Sequence, residues 1–301
     1  MNETDKNKEY ASLEDAVSAL FGEGVRIKGR RVVSGGDIND AYSLTLTDDR
    51  RVFMKSNRRD AIDFFREEAR GLRAINKTGA IRTPEVLAIG TDGDSSFLLL
   101  SMIESGRKRE DFFEDFGRRL AAMHTADTAT FVKGGRYGFI HDNFIGAGKQ
   151  VNSPKDTWID FFRDCRLKVQ LERAAGFFTP EDIKSANRLL DRLDEYIYEP
   201  GRPSLIHGDL WGGNYMTGED GRAWLIDPAV YVGDAEADIA MTELFGGFHE
   251  SFYSAYNEVH PLKPGYNDRK EIYNLYHLLN HLNLFGPSYL PSVRRVIGRY
   301  N

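Results

Sequence analysis

Three oxygen-bearing side chains stand in one stretch of the chain, in an order that suits proton and metal handling. Asp209 is followed by Asn214 five residues on and by Asp227 thirteen beyond that. Apolar Leu205-Ile206 precede the first, Ala223-Trp224-Leu225-Ile226 precede the last, and Gly218-Glu219-Asp220-Gly221 makes a turn between. The pattern reads as strand, loop, short hairpin and strand end. Such a hairpin would hold a carboxamide and a carboxylate side by side, with a second carboxylate at the mouth. The chemistry that uses this set is phosphoryl transfer. A carboxylate beside an attacking hydroxyl orients it and accepts its proton, the part assigned to Asp209. Mg²⁺ wants hard oxygen ligands and takes one or two from protein and the rest from phosphates and water. Asn214 and Asp227 meet that demand. Singly, each of the three reads as an ordinary loop or turn residue; their joint spacing points to a site.

The order His207-x-Asp209-x-x-x-x-Asn214 followed by an Asp is that of the kinase catalytic loop and its metal-binding carboxylate. Gly208 stands where protein kinases carry Arg, and Pro228-Ala229 where they carry Phe-Gly. Both departures point to the small-molecule branch of the kinase-like fold.

A triphosphate also needs a cation and a cradle, and the first third of the chain offers both. Residues 11–21 carry Leu13, Val17, Leu20 and Phe21 at helical spacing, ended by Gly22 and Gly24. Val25 to Val33 alternates as a strand, and Ser34-Gly35-Gly36-Asp37-Ile38-Asn39-Asp40 follows before a second strand at 41–46. Backbone N–H groups at Gly35 and Gly36 could cover phosphates; the segment alone reads better as a plain hairpin turn, and its place just before the next two elements raises the phosphate reading. Lys55 lies in a third strand from Arg51, sharing a face with Phe53 and Arg51. A helix follows, with Asp60 as the expected N-cap and Ala61, Phe64, Phe65, Ala69, Leu72 and Ile75 as its apolar face. Glu68 falls on that apolar stripe, where an unpaired charge is costly. It is therefore the expected partner of Lys55, with Glu67 the second choice.

Strands at 86–90 and 96–102 complete an expected five-stranded sheet. Ile103-Glu104-Ser105-Gly106 then marks the change to helical patterning. It reads as a hinge, with the Ile103 and Glu104 backbone meeting the adenine and Gly106 giving freedom, although composition alone fits an ordinary βα loop nearly as well. The expected architecture is α+β and two-lobed, protein-kinase-like, with a small antiparallel-sheet N-lobe over residues 1–104 and a larger, mostly helical C-lobe over 105–301. In the latter, 110–126 is helical, 127–157 reads as a long Gly-rich loop, a helix begins at Trp158, and another runs from Thr179-Pro180 toward Pro200. Gly233 to Met241 is acid-dense and opens a helix; Asp238 either braces the catalytic-loop backbone or merely caps. Arg269 to Phe285 is the last strong helix. Asn274, His277 and His281 share its less apolar side, as pocket lining or as solvated or hydrogen-bonded structural groups.

Composition narrows the class. The chain has 301 residues, 41% apolar and 12% aromatic, enough for a substantial core. Its net charge of −6, without long runs of one sign, argues against nucleic-acid binding and gives no membrane patch. One cysteine, Cys165, rules out an internal disulfide and suits a reducing compartment. The polar stretch from Met1 to Tyr10 does not read as a signal peptide, and no apolar run reaches spanning length, so the expected location is cytoplasmic. Zinc spacing, internal repeats and any pattern that sets an oligomeric state are all missing from the sequence.

The phrase His207-Gly208-Asp209-Leu210-Trp211-Gly212-Gly213-Asn214 resembles the fructosamine kinase, or ketosamine 3-kinase, family, related to aminoglycoside and choline kinases. The likeness continues through Phe65-Arg66-Glu67-Glu68-Ala69-Arg70-Gly71-Leu72, Asp142-Asn143-Phe144-Ile145-Gly146, Trp158-Ile159-Asp160-Phe161-Phe162, and His281-Leu282-Asn283-Leu284-Phe285-Gly286. The resemblance implies an ATP- and Mg²⁺-dependent kinase that phosphorylates the 3-hydroxyl of ketosamines, such as fructosamine or ribulosamine adducts of amines or proteins. The product falls apart and frees the amine, a deglycation. By motif, Asp209 is then the base, Asn214 and Asp227 bind metal, and Lys55 and Glu68 position phosphates. Trp211 is the ring face against the sugar, and His281 belongs to the substrate wall. Two other readings stay open on the sequence: a kinase of another small alcohol, aminoglycoside- or choline-like, and a non-catalytic nucleotide-binding pseudokinase. The Trp-Gly-Gly insert favours the ketosamine enzyme over the former, and the presence of Lys55, Glu68, Asp209, Asn214 and Asp227 together argues against the latter.

Overall fold

The computed structural model describes residues 8–33 and 39–300, so Gly35 and Gly36 lie outside the described residues. In chain order the first lobe runs β1 (Glu9–Tyr10), α1 (Leu13–Phe21), β2 (Ile27–Val32), β3 (Asp40–Leu46), β4 (Arg51–Arg58), α2 (Ile62–Lys77), β5 (Val86–Asp92) and β6 (Ser95–Ser101). The sheet has six strands rather than five, in the order β1-β5-β6-β4-β3-β2. The added strand is the short β1, which pairs parallel to β5 at the edge. Lys55 sits in the central strand, paired with Ala41 on one side and Leu98 on the other. One sheet face packs α1 through Val17, Leu44, Leu46, Val52, Met54 and Leu99. The other packs α2 through Phe65, Ala69, Leu72, Leu98 and Leu100.

Two expectations about α2 are corrected. Asp60 does not cap it: a 3₁₀ turn over Arg59–Ala61 leads into the helix, and Asp60 instead lies 3.2 Å from Arg58. Phe64 does not face the sheet. Its ring stacks on Phe144 at 3.9 Å, outside the first lobe.

The second lobe holds α3 (Phe112–His124), β7 (Asn143–Ile145), β8 (Gly148–Gln150), α4 (Trp158–Phe161), α5 (Lys168–Arg173), α6 (Pro180–Asp191) and α7 (Leu193–Tyr196). It continues with β9 (Ser204–Ile206), β10 (Tyr215–Thr217), β11 (Ala223–Leu225), β12 (Tyr231–Gly233), α8 (Ala235–Leu244), α9 (Glu250–Val259), α10 (Tyr266–Phe285) and α11 (Leu290–Arg299). The stretch 127–157, expected as one long loop, contains the β7–β8 hairpin and further bridges at Tyr137–Lys155 and Gly138–Val232. That hairpin is bolted to the chain just after Asp227. Asn143 Nδ2 donates to the Val230 carbonyl at 2.8 Å, and Gln150 Nε2 to the Ala229 carbonyl at 3.0 Å. With the Phe64–Phe144 stack, it clasps α2 from the C-lobe side. Gly71 completes the clasp, because a Cβ there would stand 3.1 Å from Pro228 Cγ.

The helix from Trp158 is interrupted by a π-turn over Phe162–Leu167. The widened turn carries Arg166, fully buried, whose guanidinium donates to the Val151 carbonyl at 2.6 Å and Asn152 Oδ1 at 2.7 Å and lies over the Tyr231 ring at 3.8 Å. The helix expected to run on toward Pro200 breaks at Arg192 into α6 and α7. Thr179 and Asp182 form a reciprocal capping box at its start, with Pro180 at the first helical position. Among the described residues no helix is long and apolar enough to cross a membrane.

Helices α8 and α10 carry the floor of the cleft and are joined by buried charge. Glu236 accepts from Arg269 Nε and Nη2, each at 2.9 Å, and from the Tyr198 hydroxyl at 3.1 Å. Asp234 accepts from the Tyr273 hydroxyl at 2.8 Å. Removing one partner of such a pair strands the other charge away from water, so Arg269→Met should cost about 3–5 kcal/mol of stability. Urea unfolding checks this; a midpoint equal to that of the unmodified protein would contradict it.

Candidate active site

The catalytic stretch is built by two short ladders. Strands β9 and β12 pair antiparallel, Ile206 opposite Tyr231, and β10 pairs with β11, Tyr215 opposite Leu225. The loop between β9 and β10 carries Asp209 and Asn214, and the end of β11 leads to Asp227. Asn214 spends its amide hydrogens on Asp209, donating to the main-chain carbonyl at 2.8 Å and to Oδ2 at 3.0 Å. Its Oδ1 is thereby left as the acceptor. Gly208 has φ of +81°, and a Cβ there would run into the Ala229 carbonyl oxygen. No arginine fits that place, which gives the departure from the protein-kinase pattern its physical reason. At Gly213 a Cβ would meet the Trp211 indole, which would have to turn aside.

The loop hangs on Asp238. Its carboxylate accepts the His207 N–H at 2.6 Å and the Gly208 N–H at 2.8 Å, and meets His124 Nε2 at 3.1 Å. Burial works against that charge, but the hydrogen bond and charge of His124, with the Gly208 N–H, outweigh it and hold the carboxyl below its ordinary value. His207 makes a second tie. Its Nε2 donates to the Ile226 carbonyl at 2.9 Å, and its Nδ1 accepts the Asp209 N–H at 3.3 Å. Asp209 and the strand end before Asp227 are therefore linked through one imidazole. Sequence reading did not single out His207 or His124 for these parts. Their burial next to an Asp in an apolar run was the available signal.

Lys55 reaches into the cleft from β4. Its ammonium lies 2.7 Å from Glu68 Oε1 and also pairs with Asp227. Burial disfavours the ammonium, but the two carboxylates outweigh it, and its pKa is raised. Burial pushes Glu68 up as well, against the pull of Lys55. Glu67, the second choice, pairs with Arg70 instead. Asp227 adopts φ of +54°, a left-handed backbone that few non-glycine residues take and that is often found at functional sites. Between Asn214 Oδ1 and Asp227 the chain offers two hard oxygen ligands. Among the described residues no group of three His, Cys, Asp or Glu could hold a metal by itself. Two ligands supplemented by phosphates is the pattern Mg²⁺ takes beside a nucleotide.

The linker Ile103–Gly106 runs along this hairpin. Ser105 bridges Gly218, and the Gly106 N–H donates to the Thr217 carbonyl at 3.2 Å. Gly106 serves close approach rather than freedom, since a Cβ would collide with the Gly218 carbonyl. The Glu104 side chain points away to an ion pair with Arg51. Trp211 is 41% exposed and His281 half-buried; they do not touch but are joined through Phe245, 6.5 Å from the indole and 4.9 Å from the imidazole.

The chain matches the fructosamine kinase family over residues 10–300. The chain belongs to the fructosamine kinase family. A protein of Synechocystis sp. described as a probable ketoamine kinase is 40% identical over 291 residues, covering 96% of this chain and 95% of its own. The crystal structure of a fructosamine-3-kinase homologue from Haemophilus somnus 129PT aligns with a TM-score of 0.84 at 31% identity, over 96% of both chains. A choline kinase from Streptococcus pneumoniae aligns with a TM-score of 0.60 at 16% identity, over 95% of this chain and 97% of its own, a likeness of fold alone. The α+β, two-lobed kinase-like architecture is thus shared with small-molecule kinases.

Two outcomes follow for this fructosamine kinase relative. Asp238→Asn puts an amide where a backbone N–H needs an acceptor, so it should cost about 1–3 kcal/mol of stability and about a hundredfold in turnover through the displaced loop. Denaturation and steady-state kinetics read these separately; unchanged turnover in a folded variant would contradict the brace. Burial pushes Asp209 up to about 7, helped by the Asp227 and Asp238 charges and opposed by the Asn214 hydrogen bond. A base acts only when ionised, so kcat/KM should fall about tenfold per pH unit below that value and level off above it. A profile flat down to about pH 5 would exclude Asp209 as the base.

Proposed function

We propose that this protein is an ATP-dependent ketosamine 3-kinase that uses Mg²⁺ and acts on fructosamine or ribulosamine adducts of amines or proteins. The observation that carries the proposal is the meeting of Lys55 with Glu68 and Asp227 beside the Asp209–Asn214 pair. Lys55, held by Glu68, would grip the α- and β-phosphates, and the Ile103 and Glu104 backbone would flank the adenine. Asn214 Oδ1 and Asp227 would hold Mg²⁺, which supplies charge neutralisation of the triphosphate. Asp209 orients the acceptor 3-hydroxyl and takes its proton as the oxygen attacks the γ-phosphorus, ADP leaving on the far side. Trp211 gives the sugar an apolar ring face, and His281 stands in the same wall. The product carries phosphate on the carbon next to the ketone; enolisation toward the amine-bearing carbon lets that phosphate leave, and hydrolysis of the resulting imine releases the amine. A cytoplasmic place fits the single buried thiol, Cys165.

A substrate panel tests the reading. Fructosyl- and ribulosyl-lysine should gain one phosphate by mass, with later loss of the sugar, while kanamycin and choline do not react. Asp209→Asn should lower turnover at least about a thousandfold. Turnover of kanamycin or choline with none of the ketosamines would overturn the substrate assignment. Equal ATP consumption by both proteins would support a non-catalytic binding module.

A further inference from the structure

One buried group faces the base with a nitrogen left over. His277 lies in the middle of α10, only 4% exposed, and among the described residues its Nδ1 has no hydrogen-bond partner. That nitrogen stands 4.0 Å from Asp209 Oδ1. An orphaned polar atom in a packed interior costs about 1–3 kcal/mol, so each calls for an explanation such as a strained contact, a water, an ion or a ligand. The two oxygens of Asp209 are also unlike. Oδ2 is held by Asn214 at 3.0 Å, whereas Oδ1 faces the imidazole.

The 4.0 Å gap is too long for a direct hydrogen bond but is spanned by a single oxygen. An oxygen about 2.8 Å from both atoms subtends an angle of about 90° between them, acceptable for a hydroxyl that donates one way and accepts the other. From this geometry we infer that His277 is a catalytic residue: its Nδ1–H donates to the acceptor hydroxyl oxygen of the ketosamine while that hydroxyl donates to Asp209 Oδ1. Burial pushes the imidazole down to about 3, with the neighbouring His281 adding to the fall, so the ring is neutral. Facing a carboxylate, its proton belongs on Nδ1. In the transfer step the hydroxyl O–H bond breaks and its proton passes to Asp209 Oδ1. The oxygen's electron pair forms the bond to the γ-phosphorus, and the bond from that phosphorus to the bridging oxygen breaks to leave ADP. His277 keeps its proton throughout and stabilises the negative charge that builds on the attacking oxygen. The α10 helix holds it rigidly, and His281 on the next turn bonds back to the His277 carbonyl at 2.8 Å.

The assignment rests on the ketosamine reading of the site, and the experiment separates the two. If the wild-type enzyme phosphorylates no ketosamine, the substrate reading falls first and this assignment with it, before any variant is made. If it does, His277→Phe, which fills the space without a donor, should lower kcat about a hundredfold with little change in the KM for ATP. His277→Asn, whose amide nitrogen reaches the Nδ1 position, should recover turnover to within about tenfold of wild type. A packing role alone would instead favour the phenylalanine variant over the asparagine one, and that order overturns the assignment. Binding of a 3-deoxy ketosamine keeps the test independent of catalysis. Loss of the hydroxyl should weaken binding to the wild type severalfold more than to His277→Phe; equal losses overturn the contact.

Discussion

Everything in the cleft is referred to one buried carboxylate. Asp238 sits at the start of a core helix and takes up two consecutive main-chain N–H groups, those of His207 and Gly208. A loop that turns through a left-handed glycine has no ladder to fix it, so its backbone donors must be satisfied from elsewhere. Asp238 does this from beneath, and His124 steadies it from α3, itself bonded to the Tyr256 hydroxyl at 2.7 Å. The position of Asp209 is therefore set by three helices remote in sequence rather than by the loop that carries it. The apolar stretch around the loop keeps water from competing for those bonds.

A second constraint is charge. Glu68, Lys55 and Asp227 form a chain of alternating sign across the lobes, and Asp209 lies close enough to feel the Asp227 charge. Two carboxylates against one ammonium leave a surplus of negative charge, and a divalent cation is what such a surplus attracts. The strained backbone at Asp227 is tolerated because Leu225 and Asn214 fix the chain on its N-terminal side, through bonds to Arg82 and Ile226, and the β7–β8 hairpin fixes it on the other.

The site was more legible in the sequence than the scaffold that supports it. Lys55 and Glu68 could be paired because an acid on an apolar stripe demands a nearby cation, and the strand period gives that cation a face. Asp209, Asn214 and Asp227 were legible through spacing within one hairpin. What escaped was long-range or very short. Strands β7 and β8 have three residues each, below the length at which alternation is visible. The extra parallel edge strand has two, and nothing local forecasts its pairing. Gly106 looked like a flexible joint because composition cannot distinguish a free glycine from one pressed against a carbonyl. His277 was noticed but could not be placed, since helical spacing gives a side of a helix and not what lies opposite.

The stacked rings of Phe64 and Phe144 carry an implication for control. In many kinases the helix bearing the glutamate swings with the small lobe, and that swing turns activity on and off. Here the helix is moored to the large lobe by an aromatic pair, by the close seat of Gly71 on Pro228, and by its own C-terminal residues Ala74 and Ile75 in the large-lobe core. Packed against both the sheet and the large lobe, the helix presents Glu68 to Lys55.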